Sequence, residues 1–212
     1  MICLSVNATN FDECVSLLRK HSFIEFRLDK TEFTLDQIKR LFSMPNKMIA
    51  ACRPVKWDDN KRTDILTTAI KAGANYVDIE LESSDDFLNK IEIAMKGTLC
   101  KLILSYHNHD NTPEFEELKD IINSCFDKGA SIAKVSCKSN SEEDNARLLS
   151  LYIEYETGQL ISIGMNQKGR ITRIAAPYLG APFTYASTDS SFETAPGQID
   201  YRNLKNIYDL MK

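Results

Sequence analysis

Two short stretches of this chain carry residue types that do chemistry. In "KLILSYHNHDNTPEF", residues 101–115, His107 and His109 stand two apart just after an apolar run, and the whole chain has only three histidines. In "SIAKVSC", Lys134 sits among Ile132, Ala133 and Val135. A lysine in such a run must reach water or lose much of its preference for the charged form. At an ordinary pKa of ~10.4 about one amine in ~2500 is neutral at pH 7, whereas a value lowered to ~7.4 would free roughly a quarter. A neutral amine attacks a ketone and forms an imine. The imine then draws electrons from the adjacent carbon, and a histidine titrating near neutrality is suited to take the proton there. The residues alone leave other readings open, with Lys134 as a salt-bridge partner and the histidines as loop residues. A metal pair has no evident third ligand beyond Asp110, so no metal is expected.

The elements that must position these residues follow from periodicity. Runs rich in branched and apolar residues recur as "ICLSV", "FIEFRLD", "KMIAACRP", "NYVDIEL", "CKLILSYH", "SIAKVSC", "QLISIGM" and "FTYAST", which makes eight candidate strands. Helical spacing fills most of the gaps. Thr34 with Gln37 reads as a capping box before Leu35, Ile38, Leu41 and Phe42. Thr112 and Pro113 suit the cap and first turn of a helix with Phe115, Leu118, Ile121, Ile122 and Cys125 on one face. Ser141 caps another, and "LKNIYDLMK" supplies the last. Alternating strands and helices imply a parallel sheet, and eight pairs favour an α/β fold of the (β/α)8 TIM-barrel class, expected as a single compact catalytic domain over residues 1–212.

Successive strand residues point to opposite faces. Glu25, Arg27 and Asp29 therefore share a face in "FIEFRLD", Asp78 and Glu80 in "NYVDIEL", and Ser105 and His107 in "KLILSYH", while Lys134 opposes Ala133 and Val135. Buried charges are tolerated only when paired, so this pattern suggests helices packed on one side and a polar site on the other. Arg27, Arg53 and Lys134 nearly balance Glu25, Asp29, Asp78 and Glu80.

Bulk properties narrow the function. At 212 residues, 43% hydrophobic and 26% charged, the composition is ordinary for a soluble globular protein. A formal net charge of −4 and the lack of a basic run argue against nucleic acid and favour a small-molecule partner. The N-terminal apolar run is too short for a secretory signal and no stretch approaches the ~20 apolar residues of a membrane span, so a cytoplasmic location is expected. Six cysteines lie scattered without C-x-x-C, as small hydrophobes do.

"SYHNHDNTP", "IAKVS", "GMNQKGRITR" and "APGQI", in that order, with "FIEFRLD" as an E-x-R-x-D strand and "NYVDIEL" after it, resemble type I 3-dehydroquinate dehydratases over essentially the whole chain. The 27-residue step from His107 to Lys134 also fits. The resemblance implies a shikimate-pathway hydro-lyase that converts 3-dehydroquinate to 3-dehydroshikimate, with no metal or organic cofactor and often as a homodimer. It implies that Lys134 forms the imine and that His107 is the general acid/base, leaving His109 as a loop residue near the rim. Glu25, Arg27 and Arg53 would hold the ring hydroxyls, Arg173 and Gln198 the carboxylate, with Thr194 where the family often has serine and Ser5 as a first-strand contact. A planar guanidinium is also the natural partner of a carboxylate, which supports Arg173 independently.

The pattern departs from the family after the third strand. Where R-x-x-x-E-G-G is usual, with its glutamate supporting the catalytic histidine, this chain reads "RPVKWDDNKR". Asp58 or Glu80 could replace that glutamate, and Asp58 could equally be a loop residue. The loop "STDSSFETAPGQ" is expected to form a lid. Two other functions compete: a class I aldolase, disfavoured because no Gly-rich phosphate loop follows strands 7 and 8, and a barrel that binds a shikimate-type ligand without turnover.

Overall fold

The computed structural model describes residues 1–7, 10–188 and 195–211. Its elements alternate as expected, in the order β1 (Ile2–Val6), α1 (Phe11–Lys20), β2 (Phe23–Arg27), α2 (Leu35–Phe42), β3 (Lys47–Ala51), α3 (Asp59–Ala72), β4 (Tyr76–Glu80), α4 (Asp85–Met95), β5 (Lys101–Asn108), α5 (Phe115–Asp127), β6 (Ile132–Lys138), α6 (Glu142–Ser150), β7 (Leu160–Met165), α7 (Arg170–Leu179), β8 (Thr184–Ser187), β9 (Ile199–Asp200) and α8 (Tyr201–Leu210). All eight expected strands are present, and the two-residue β9 adds a ninth among the described residues. The chain forms two compact units, Ser5–Ile103 and Met1–Leu4 with Leu104–Lys212.

In the unit Ser5–Ile103, β2, β3 and β4 pair in parallel, with Phe23 opposite Lys47, Arg27 opposite Ala51, and Ala51 opposite Asp78. Phe26 meets Phe42 of α2 edge to face at 6.0 Å, so the odd residues of β2, Glu25 and Arg27, belong to the opposite side. The capping box expected at Thr34 is formed, with Gln37 N–H donating to the Thr34 hydroxyl and the Gln37 side chain accepting from Thr34 N–H. Strand β2 ends at Arg27. Asp29 lies in a 3-10 turn, Leu28–Lys30, not on the strand.

In the other unit, β6 lies between β5 and β7. Strand β1 pairs in parallel with β8, and β8 with β9. Ser141 and Asp144 form the capping box of α6. Helix α5 starts two residues later than the sequence suggests, with Glu114 at its cap. Thr112 donates its hydroxyl to the Lys138 carbonyl instead, and Arg147 takes the Thr112 and Pro113 carbonyls, so long-range bonds outcompete the local cap. The face of α5 is as expected, with Leu118, Ile122 and Cys125 buried.

Candidate active site

The unit that carries Lys134 positions it by register. Val135 pairs with Ser162 of β7, whose hydroxyl donates to the Leu148 carbonyl of α6. Tyr152 hydroxyl donates to the Ser162 carbonyl in the same place. Val135 and Ser162 thus face the helices, and alternation turns Lys134 and Ser136 to the other side. Lys134 is 5% exposed, and its Nζ lies 4.4 Å from the ring centroid of Tyr185 on β8. A cation held there, whether ammonium or protonated imine, gains about 2 kcal/mol where water is excluded. Tyr185 in turn meets Phe183 edge to face at 5.5 Å. His107 is half-buried near the end of β5, the strand next to β6, and its ring stacks on exposed His109 at 6.4 Å. Among the described residues, no group of three or more His, Cys, Asp or Glu side chains is gathered as metal ligands would be.

The motif "GMNQKGRITR" folds as a close chain reversal. A side chain on Gly164 would meet the Gly169 Cα at 2.8 Å, and one on Gly169 would meet the Met165 carbonyl oxygen at 2.6 Å. Only glycines let β7 pass so near the start of α7. Thr172 fastens the reversal, accepting from Gly164 N–H at 2.7 Å and donating to the Gly169 carbonyl at 2.7 Å. One residue on, Arg173 is 1% exposed, with its carbonyl held by Tyr208 of α8. The segment "APGQ" docks on the same reversal, since Asn166 N–H donates to the Pro196 carbonyl at 3.0 Å. Gly197, at φ 80°, passes the Asn166 carbonyl too closely for any side chain and leads into buried Gln198. Thr194 and half of the expected lid loop, residues 189–194, lie outside the described residues.

The unit Ser5–Ile103 holds a dense set of charges. Ser5 donates its hydroxyl to Glu25, both nearly fully buried. Arg27 clasps Asp29 with Nε and Nη2, each at 2.9 Å. Burial alone would raise the Asp29 carboxyl, but the Arg27 hydrogen bond and charge, with backbone N–H groups of Arg53 and Asp29, outweigh it and hold its pKa below the ordinary value. Arg53, just past β3, reaches Asp78 at 3.1 Å and Glu80 at 2.7 Å. Burial opposes its charge, yet Asp78, Glu80 and Glu25 more than compensate and raise its pKa.

The second oxygen of Glu80 accepts from Arg62 Nη2 at 2.6 Å, so guanidinium groups of its own unit engage both oxygens. Asp58 is the exposed N-cap of α3, accepting from Lys61 N–H at 2.9 Å. The structure thus gives Asp58 a local role, that of a helix cap.

Tyr185 and Arg62 escaped the sequence reading. For Tyr185 no local signal exists, since an aromatic in a strand reads as core. For Arg62 there was one: in this unit Arg27 and Arg53 face Glu25, Asp29, Asp78 and Glu80, a deficit of cations that asked for another. All six cysteines are buried thiols rather than disulfides. Burial pushes Cys14, Cys52, Cys100 and Cys137 up to about 12.

Parallel βα units along the chain, with a lysine inside one strand and a histidine near the end of its neighbour, define a protein of the α/β barrel class. Comparison with known proteins takes this further. The chain belongs to the family described as type I 3-dehydroquinase, whose profile matches residues 2–212. The protein called 3-dehydroquinate dehydratase in Methanococcus maripaludis strain C6 is 32% identical over 226 residues, covering all of both chains. Its namesake in Methanocaldococcus jannaschii is 33% identical over 223 residues, covering 100% of this chain and 99% of that one. The crystal structure of 3-dehydroquinate dehydratase from Aquifex aeolicus superposes with a TM-score of 0.85 at 27% identity, covering 100% of this chain and 99% of that one. The (β/α)8 TIM-barrel class expected from the strand and helix pattern is therefore the fold of this chain.

Proposed function

We propose that this chain is a 3-dehydroquinate dehydratase of the shikimate pathway, a single catalytic domain in which Lys134 forms an imine and His107 is the general acid/base. The Lys134 amine adds to the substrate ketone, and uptake of one proton lets water leave, giving a protonated imine. That cation acidifies the neighbouring C2–H. His107 removes the proton, the electrons form an enamine, and the protonated imidazole returns the proton to the departing C1 hydroxyl as water. Hydrolysis of the conjugated imine releases 3-dehydroshikimate and restores the amine. Arg53, Arg27, Glu25 and Ser5 hold the ring hydroxyls, and Arg173 with Gln198 and Thr194 holds the carboxylate. The chemistry asks for no metal or organic cofactor, and the reading includes a cytoplasmic homodimer.

The observation that carries the proposal is the place of Lys134: 5% exposed on β6, amine against the Tyr185 ring, next to the strand of His107. Family membership over residues 2–212 supports the substrate. The test is to add 3-dehydroquinate and follow the ultraviolet absorbance of the conjugated product. Borohydride added during turnover should fix a covalent adduct on the peptide bearing Lys134, detected by mass spectrometry. Lys134→Ala should lose both signals, with turnover reduced on the order of 10³-fold or more. Binding of 3-dehydroquinate by the wild-type protein with neither absorbance change nor adduct would favour a ligand sensor and end the dehydratase reading.

A further inference from the structure

We infer that Arg62 is a positioning residue for Arg53, and so sets how tightly the ring hydroxyls are held without itself touching substrate. The inference deepens the reading above and rests on it for the role of Arg53.

Arg62 lies in the first turn of α3, yet its side chain is 2% exposed. A guanidinium so placed needs an acceptor for its N–H groups, because an uncompensated buried charge is strongly destabilising. Its acceptors bear on one neighbour. Nε donates at 2.9 Å to the carbonyl of Cys52, the residue before Arg53. Nη2 donates at 2.6 Å to one oxygen of Glu80, whose other oxygen takes Arg53 Nη1 at 2.7 Å. Arg62 thus holds both the backbone from which Arg53 departs and the carboxylate that receives it. Its guanidinium carbon lies 4.3 Å from the centroid of the Phe87 ring, which restricts the planar group further. The remaining partner, Asp59, is 52% exposed and adds little.

The loop that follows Arg53 has every reason to need this brace. From Arg53 to Asp58 it forms no regular element, and Val55 is 74% exposed. A lysine at position 62 offers a compact point charge instead of a rigid fork, so it cannot serve the Cys52 carbonyl and Glu80 together with the same geometry. Arg53 would then sample several orientations, and a group that contributes binding in ground and transition states alike would weaken both.

The experiment is steady-state kinetics on 3-dehydroquinate with the full chain. Arg62→Lys should raise KM about tenfold and leave kcat within about threefold, the signature of lost uniform binding. Glu80→Gln should do the same, and the double variant should add little to either single change, because both cut one bridge. Asp59→Asn, confined to the exposed partner, should leave KM unchanged. Urea unfolding monitored on each variant separates a folding defect from a binding one. An unchanged KM in Arg62→Lys, with only a lower urea midpoint, means a purely structural arginine and overturns the inference. Should Arg62→Lys fail to fold, an unchanged KM in Glu80→Gln overturns it equally, as does a KM rise in Asp59→Asn matching that of Arg62→Lys. A wild-type protein that does not convert 3-dehydroquinate instead brings down the functional reading, and this inference with it.

Discussion

The two units treat buried charge in opposite ways. In Ser5–Ile103, guanidinium and carboxylate groups are locked into one another, from Arg27 with Asp29 to Arg53 with Asp78, Glu80 and, through Glu80, Arg62. In the other unit the buried amine of Lys134 lies against the ring of Tyr185, in the same unit as the buried guanidinium of Arg173. An arginine stays charged at any physiological pH, whereas an amine can lose its proton and become a nucleophile. Fixed charges suit holding a polyhydroxy ring. A group able to change its charge suits making and breaking bonds. Changes among the locked charges of Ser5–Ile103 should therefore act mainly on KM, and changes around Lys134 mainly on kcat.

The largest effect that tests the contrast is expected at Arg53. Arg53→Lys loses the fork that spans Asp78 and Glu80, and KM should rise on the order of 30-fold while kcat stays within about threefold. A fall in kcat at constant KM would erase the distinction between the units. Next comes Tyr185. Tyr185→Leu removes the ring beside the amine and should lower kcat about five- to tenfold, whereas Tyr185→Phe, which keeps the ring, should stay within about twofold of wild type. Equal losses in both variants would assign the effect to the hydroxyl instead.

A smaller effect appears in stability. The Asp29 carboxyl has its folded pKa depressed below the unfolded value of ~3.9, so its ionised form favours the folded state. That contribution is fully present above the unfolded pKa and is lost as pH falls through the folded one. Asp29→Asn should therefore be less stable than wild type by about 1–2 kcal/mol at pH 7 in urea unfolding, with the gap closing as the pH falls below the unfolded value of ~3.9. A gap independent of pH would point to packing rather than charge. The smallest effect is none at all: Cys14, Cys52, Cys100 and Cys137, pushed up to about 12, hold only about one part in 10⁴ as thiolate at pH 8. Iodoacetamide at that pH should leave the folded enzyme's activity intact, although Cys52 adjoins Arg53.

Much of this was legible before any coordinates. Runs of branched and apolar residues located β1 to β8, and the Thr34 and Ser141 caps located α2 and α6, because these are decided by residues within a few positions of each other. The glycines of "GMNQKGRITR" and "APGQI" could be recognised as a motif, but not the reason for them, which is the close passage of β7, α7 and Pro196–Gly197. Thr112 looked like a cap and became a partner of Lys138, and Asp29 looked like a strand residue and became the clasp of Arg27. In each case a partner distant in sequence or a turn took over a group that local pattern had assigned elsewhere.

The sequence by itself determined which residues could do chemistry, Lys134 and His107 above all, and on which face of each strand they stand, since side-chain alternation is a property of the local backbone. Only the tertiary structure decided what each buried charge meets: Glu80 two guanidiniums, Lys134 the ring of Tyr185, and Arg62 the carbonyl beside Arg53. Such partners are chosen by the free energy of burying ions, which depends on every group brought within a few ångströms and on none of the spacings that a sequence displays.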